Sequence, residues 1–139
     1  EHRPPLMAGR DTNVLVRWLV AADDVQVARV QALLASGRST GRSFFVPTTV
    51  LLELEWVLRS RYRLDKPAIL SALNALLETQ EFDIQAEAAL ERALHLYRQG
   101  RADFADCLHA GLCGAAGQAP LLTFDAQAAR LPQVELIGG

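Results

Sequence analysis

Five carboxylates in this 139-residue chain stand out by their surroundings. Asp11 opens Asp11-Thr12-Asn13 at the end of a short strand-like stretch, and Asp125 closes the run Leu121-Leu122-Thr123-Phe124. A helical pattern follows both, so helix capping accounts for either one taken alone. Glu53 lies among Val50, Leu51, Leu52 and Leu54, and its neighbours at helical spacing are Thr49, Val50, Trp56 and Val57. That surface is mostly apolar, and a carboxylate buried there must be paired, protonated or metal-bound. Glu55 has Arg59 four residues on and reads as half of a surface ion pair, which leaves Glu53 as the functional glutamate. Asp103 and Asp106 are three apart and share a helix face. Asp103 falls in the first turn, where capping and the helix dipole favour a carboxylate; Asp106 is deeper and gains less. Two carboxylates so close repel unless a cation or proton intervenes.

Two acids after strands and two on helix faces beside core residues allow four remote segments to converge on one cation through Asp11, Glu53, Asp106 and Asp125. An all-oxygen set selects Mg²⁺ or Mn²⁺ over zinc. The chemistry expected of such a site is phosphodiester hydrolysis by a metal-oriented water. A receiver-like aspartyl phosphotransferase with Asp11 as nucleophile is disfavoured, because Asn13 stands where a second acid is wanted and Glu53 would have no role. The chain has no Walker A loop, His-Glu-x-x-His or Cys-x-x-Cys, and no serine in a nucleophile elbow. His2, His95 and His109 lack metal-ligand spacing; His109 sits three beyond Asp106, on the helix surface or at the edge of the site.

Elements must bring these acids together. Periodicity and breaker residues predict strands over 7–11, 43–46, 82–84, 120–124 and 134–137. Helices are expected over 12–21, 24–36, 48–62, 66–79, 86–98, 102–116 and 126–130, with Thr48 as a cap and Pro67 in a first turn. Strands separated by helices imply crossovers and a parallel sheet covered on both faces, with ligands beyond the carboxyl ends of its strands. Gly111, Gly114 and Gly117 recur on a helix, which suits close helix packing better than phosphate binding.

Half the residues are hydrophobic and 22% are charged, which suits one packed domain over residues 7–137. Residues 1–6 read as a disordered or vector-derived lead. Cys107 and Cys113 on one helix would lie about 9 Å apart along its axis, beyond the roughly 7 Å a disulfide spans. They read as small core thiols, which fits a reducing compartment. No apolar run reaches membrane-spanning length. A net charge of -2 excludes a generally basic nucleic-acid coat, so a polyanion must meet a local patch or a metal. Lys66 is the only lysine; the other cations are arginines, whose planar fork suits phosphates, although a GC-rich genome gives the same skew.

Taken together, Asp11-Thr12-Asn13-Val14-Leu15-Val16-Arg17, Glu53-Leu54-Glu55-Trp56-Val57-Leu58-Arg59, Ala102-Asp103-Phe104-Ala105-Asp106 and Leu122-Thr123-Phe124-Asp125 give the sequence its family likeness. It resembles the PIN-domain nucleases, and within them the VapC-type toxins of bacterial toxin–antitoxin pairs, over nearly the whole chain. The resemblance implies a three-layer α/β/α sandwich with a short, mostly parallel central sheet. It implies that Asp11, Glu53, Asp106 and Asp125 are the acidic metal-site residues, that Asp103 is an additional acid, and that Thr12, Asn13 and Thr123 support the site by hydrogen bonding. It further implies a Mg²⁺- or Mn²⁺-dependent endoribonuclease, cytoplasmic and homodimeric, acting on RNA and inhibited by a cognate antitoxin. A non-catalytic interaction module of the same architecture is the alternative.

Arg17, Arg38 and Arg42 are then the first candidates for RNA contact. The run Arg59-Ser60-Arg61-Tyr62-Arg63 is a second basic patch, or simply a solvated helix end. Trp18, Leu19 and Trp56 exceed what a one-sided helix needs and read as an interface or as core.

Overall fold

The computed structural model describes residues 11–20 and 44–138, with 31, 32, 35, 36 and 39 between them. The lead, the strand residues expected at 7–10, residues 24–30, 33 and 34 of the helix expected over 24–36, and Arg38 and Arg42 lie outside this set. Gln31, Ala32, Ala35 and Ser36 are helical as expected; Ser39, which falls where the composition of residues 38–42 predicts a polar loop, is helical instead. The chain divides between Gln85 and Ala86 into two compact units.

The first unit contains α1 (Asp11–Val20), β1 (Phe44–Val46), α2 (Thr48–Ser60), α3 (Lys66–Glu78) and β2 (Phe82–Ile84). Asp11 is therefore the first helical residue of α1 and not the last residue of a strand. β1 and β2 pair in parallel, with Phe44 opposite Phe82 and Val46 opposite Ile84. These four side chains are buried, while Phe45 and Asp83 alternate outward. A parallel pair needs a long crossover, and α2 and α3 provide it.

Pro47 ends β1 and is the N-cap of α2. Thr48 does not cap α2; it is the first helical residue, and its N–H donates to Gln85 Oε1 at 2.9 Å. The glutamine, supplied from just beyond β2, satisfies a helix-end donor that proline cannot. At α3, Asp65 caps by accepting from the Ala68 N–H at 3.0 Å, and proline lies in the first turn. The core gathers Leu15 and Val16 of α1, Leu51, Leu54 and Leu58 of α2, and Ile69, Leu70, Leu73 and Leu76 of α3. Trp18 meets Phe82 edge to face at 5.3 Å.

The second unit contains α4 (Glu87–Gln99), α5 (Phe104–Ala115), β3 (Leu121–Thr123), a 3₁₀ turn (Ala128–Arg130) and β4 (Val134–Leu136). The expected helix over 126–130 is thus a single tight turn. β3 and β4 pair in parallel, with Leu121 opposite Val134 and Thr123 opposite Leu136. α4 and α5 pack face to face through Leu90, Ala93, Leu94 and Tyr97 against Phe104, Cys107 and Leu108. Cys107 is buried and Cys113 is half-buried, and neither is in a disulfide. Parallel strand pairs connected by helical and turn segments make the chain α/β, as the sequence implies. Among the described residues, no helix is long and apolar enough to cross a membrane.

The three glycines of the α5 segment differ in role. A Cβ on Gly111 would lie 2.5 Å from the Ala89 carbonyl oxygen, so here two helix backbones meet. A Cβ on Gly114 would meet only the Gln133 side chain at 3.8 Å, and Gly117 sits past the helix end at φ +70°. Gly111→Ala is therefore expected to cost about 1–3 kcal/mol through overpacking. Gly114→Ala is expected to add up to about 1 kcal/mol through helix propensity. Urea titration of both variants measures the two values, and equal effects would remove the close-approach argument.

Candidate active site

In the first unit the helix phase of α2 sets the two glutamates apart, and it does so opposite to expectation. The buried stripe is Leu51, Leu54, Glu55 and Leu58; Glu53 projects to the exposed side. The residues flanking Glu53 at helical spacing are apolar by type, but Trp56 is exposed and Val50 and Val57 are only half-buried. The leucine repeat, three and four residues apart, defines the core face, and Glu55 falls within it. Glu55 does pair with Arg59, whose Nε donates to Oε2 at 2.8 Å. The carboxylate end of that pair is buried, however, and only the arginine reaches solvent.

Exposed Glu53 is held from α1: the buried Thr12 hydroxyl donates to Glu53 Oε1. This contact fixes one oxygen of the exposed carboxylate. Asp11, Asn13 and Arg17 lie on the same helix, and their side chains are outside the described set. Trp56 is 53% exposed, which excludes core burial for it, whereas Trp18 and Leu19 are half-buried.

The second unit brings three acids into mutual influence. Asp103 is the N-cap of α5 and accepts from the Asp106 N–H at 2.9 Å. Asp106 follows in the first turn, half-buried. Asp125 follows β3 in a turn tightened by two bonds. Its N–H donates to Thr123 Oγ1 at 3.0 Å, and its Oδ1 accepts from the Gln127 N–H at 2.8 Å. Capping thus occupies one oxygen of Asp125 and leaves the other. Asp106 is raised above the ordinary aspartate range, first by burial, then by the charge of Asp103 and a hydrogen bond with its side chain, and by the charge of Asp125. His109, exposed one turn on, pulls weakly the other way.

Among the described residues no group of three His, Cys, Asp or Glu side chains is arranged to hold a metal ion. The donor chemistry is nonetheless that of a hard cation. Every candidate donor is a carboxylate oxygen, and the ionised form of Asp106 is opposed by desolvation and two like charges, a cost that a bound cation would relieve.

A family model described as PIN domain matches residues 10–134. The chain is 26% identical over 98 residues to a protein named VapC ribonuclease from Aquifex aeolicus (strain VF5), which covers 70% of this chain and 72% of that protein. No solved structure gives a significant match.

The raised pKa of Asp106 has a direct consequence for stability. Folding favours its protonated form, so the contribution is present at low pH and is lost as pH rises through the unfolded value, about 4, and then the folded one. At neutral pH the ionised carboxylate costs the metal-free protein stability. Asp106→Asn is therefore expected to melt above the parent at neutral pH without metal, with the gap closing below about pH 4. A lower melting temperature for the variant at neutral pH would mean that the carboxylate supports the fold.

Proposed function

The chain belongs to the PIN domain family, and on that premise we propose that it is a Mg²⁺- or Mn²⁺-dependent endoribonuclease, the toxin of a toxin–antitoxin pair. Its fold is the α/β sandwich of that family. The observation that carries the reading is the carboxylate cluster of the second unit, in which burial and the charges of Asp103 and Asp125 disfavour the ionised form of Asp106. Kinship with a protein named VapC ribonuclease supports the substrate class.

In this reading Asp11, Glu53, Asp106 and Asp125 are the catalytic and metal-site acids of one domain spanning residues 7–137. These acids would hold the ion, which when bound would offset negative charge on the phosphate and leaving oxygen and lower the pKa of a water. The chain's own residues hold the ligands in place. Thr12 fixes Glu53 by one oxygen, so the other stays aimed. The Asp103 side chain tethers the backbone of Asp106, and Thr123 that of Asp125. Such supporting bonds orient metal ligands and lower the cost of ordering them. Asn13 belongs with these supports, and Arg17, Arg38 and Arg42 are contacts for the RNA backbone. The same reading makes a cognate antitoxin the protein partner, a homodimer the assembly and the cytoplasm the compartment. Cys107 and Cys113, neither in a disulfide, accord with a reducing one.

Purified, antitoxin-free protein is expected to cleave RNA with Mg²⁺ and to lose activity on chelation. Asp106→Asn should reduce turnover by about a hundredfold or more while the fold persists. Undiminished cleavage by that variant would refute the assignment.

The two glutamates should separate by readout. Glu53→Gln is expected to weaken metal binding, measured by calorimetry, with little change in melting temperature. Glu55→Gln is expected to lower the melting temperature, because it removes the charge facing Arg59 within the buried stripe. Equal effects on metal binding would mean that Glu53 is not the metal-site glutamate.

A further inference from the structure

The outward side of α2 holds a combination that the site acids do not account for. Glu53, Trp56 and Ser60 lie on one face, with Trp56 about 4.5 Å along the axis from Glu53. All three are exposed, and so is Thr49 one turn earlier. The helix then ends in Arg61, Tyr62 and Arg63, each exposed, with Tyr62 38% accessible. Arg63 adopts a left-handed φ of 54°, so the chain turns there and presents these side chains at the helix terminus. Arg59 pairs with Glu55 while its side chain stays 52% exposed, and the further cations of this end are Arg61 and Arg63.

The surroundings of Trp56 decide what it can bind. A protein-docking tryptophan sits at the centre of an apolar patch. Along the helix the exposed neighbours of Trp56 are Thr49, Glu53, Arg59 and Ser60, with an aromatic and two further guanidinium groups beyond. Aromatic faces interleaved with arginines form a platform for single-stranded nucleic acid, where bases stack and phosphates pair with cations. A chain with net charge -2 must confine such attraction to a local surface.

We infer that this face of α2 carries the RNA strand, with Trp56 stacked on a base next to the position of Glu53 and with Arg61 and Arg63 meeting the phosphates that follow. The inference rests on the ribonuclease reading and extends it from the cleavage site to the grip on the substrate. Because every base has a π face, a stacking contact confers affinity for unpaired RNA with little sequence preference. A duplex, whose bases are already stacked, cannot offer one to Trp56.

The test uses the full chain. Trp18→Phe leaves Trp56 as the sole tryptophan and keeps an aromatic ring facing Phe82. With Asp106→Asn added to stop turnover, a short single-stranded RNA of mixed sequence is expected to quench the Trp56 emission, and the matching duplex to quench it less. RNA that binds without altering the emission overturns the inference. In steady-state cleavage, Trp56→Ala is expected to raise KM by about tenfold with a smaller effect on kcat, and Trp56→Phe to recover most of the loss. Replacing Arg61 and Arg63 by alanine is expected to flatten the salt dependence of binding by about 0.7 log units per decade for each phosphate contact removed. If the parent cleaves RNA and Trp56→Ala leaves KM unchanged, the inference falls and the ribonuclease reading stands. If the parent neither binds nor cleaves RNA, both fall. If a copurifying protein shields Trp56 and single-stranded RNA does not, the surface is a protein interface and the inference is overturned.

Discussion

Repulsion among the carboxylates at the start of α5 is the constraint on which the second unit's chemistry turns. Asp103 is anchored by its capping bond to the Asp106 N–H, so it cannot swing away from its neighbour. Asp125 is likewise pinned by the turn it closes with Thr123 and Gln127. Asp106 sits between these fixed charges and is partly desolvated as well. Local structure thus uses some carboxylate oxygens for backbone capping and, by doing so, orients the remaining ones. Capping and metal ligation are competing explanations for an aspartate in a sequence, but in a folded chain one carboxylate can do both, because it has two oxygens.

The first unit solves a different problem, since its glutamate stands on an exposed helix face. An exposed glutamate has several rotatable bonds and would sample many positions. The Thr12 hydroxyl restricts Glu53 from a neighbouring helix. Thr12 is itself buried, in the same α1 segment that contributes Leu15 and Val16 to the core. The aim of the carboxylate therefore depends on the packing of α1 against α2.

Much of this was legible in the sequence. The strands at Phe44–Val46 and Phe82–Ile84 follow from short β-prone runs bounded by breakers, and the start of α3 from Asp65 and Pro67. The cap at Asp103 follows from its place at the head of an apolar helix. The errors share a cause. Counting apolar neighbours placed Glu53 on a buried face, yet the long leucines at 51, 54 and 58 set the core arc, and that arc includes Glu55. Thr48 was expected to cap because its residue type favours it, but Pro47 and the side chain of Gln85 supply the entry to α2. A side chain from 37 residues away is invisible to a local pattern.

The buried position of Glu55 has one more implication. A helix whose core stripe were wholly leucine could roll several degrees about its axis with little penalty, and the opposite face would wander with it. Glu55 and Arg59 belong to the same helix and turn with it: a roll that carried the pair deeper would bury the Arg59 guanidinium, and a roll the other way would draw a leucine out of the core. The pair thereby helps to set the bearing of Glu53 and Trp56 on the outer face of the same helix.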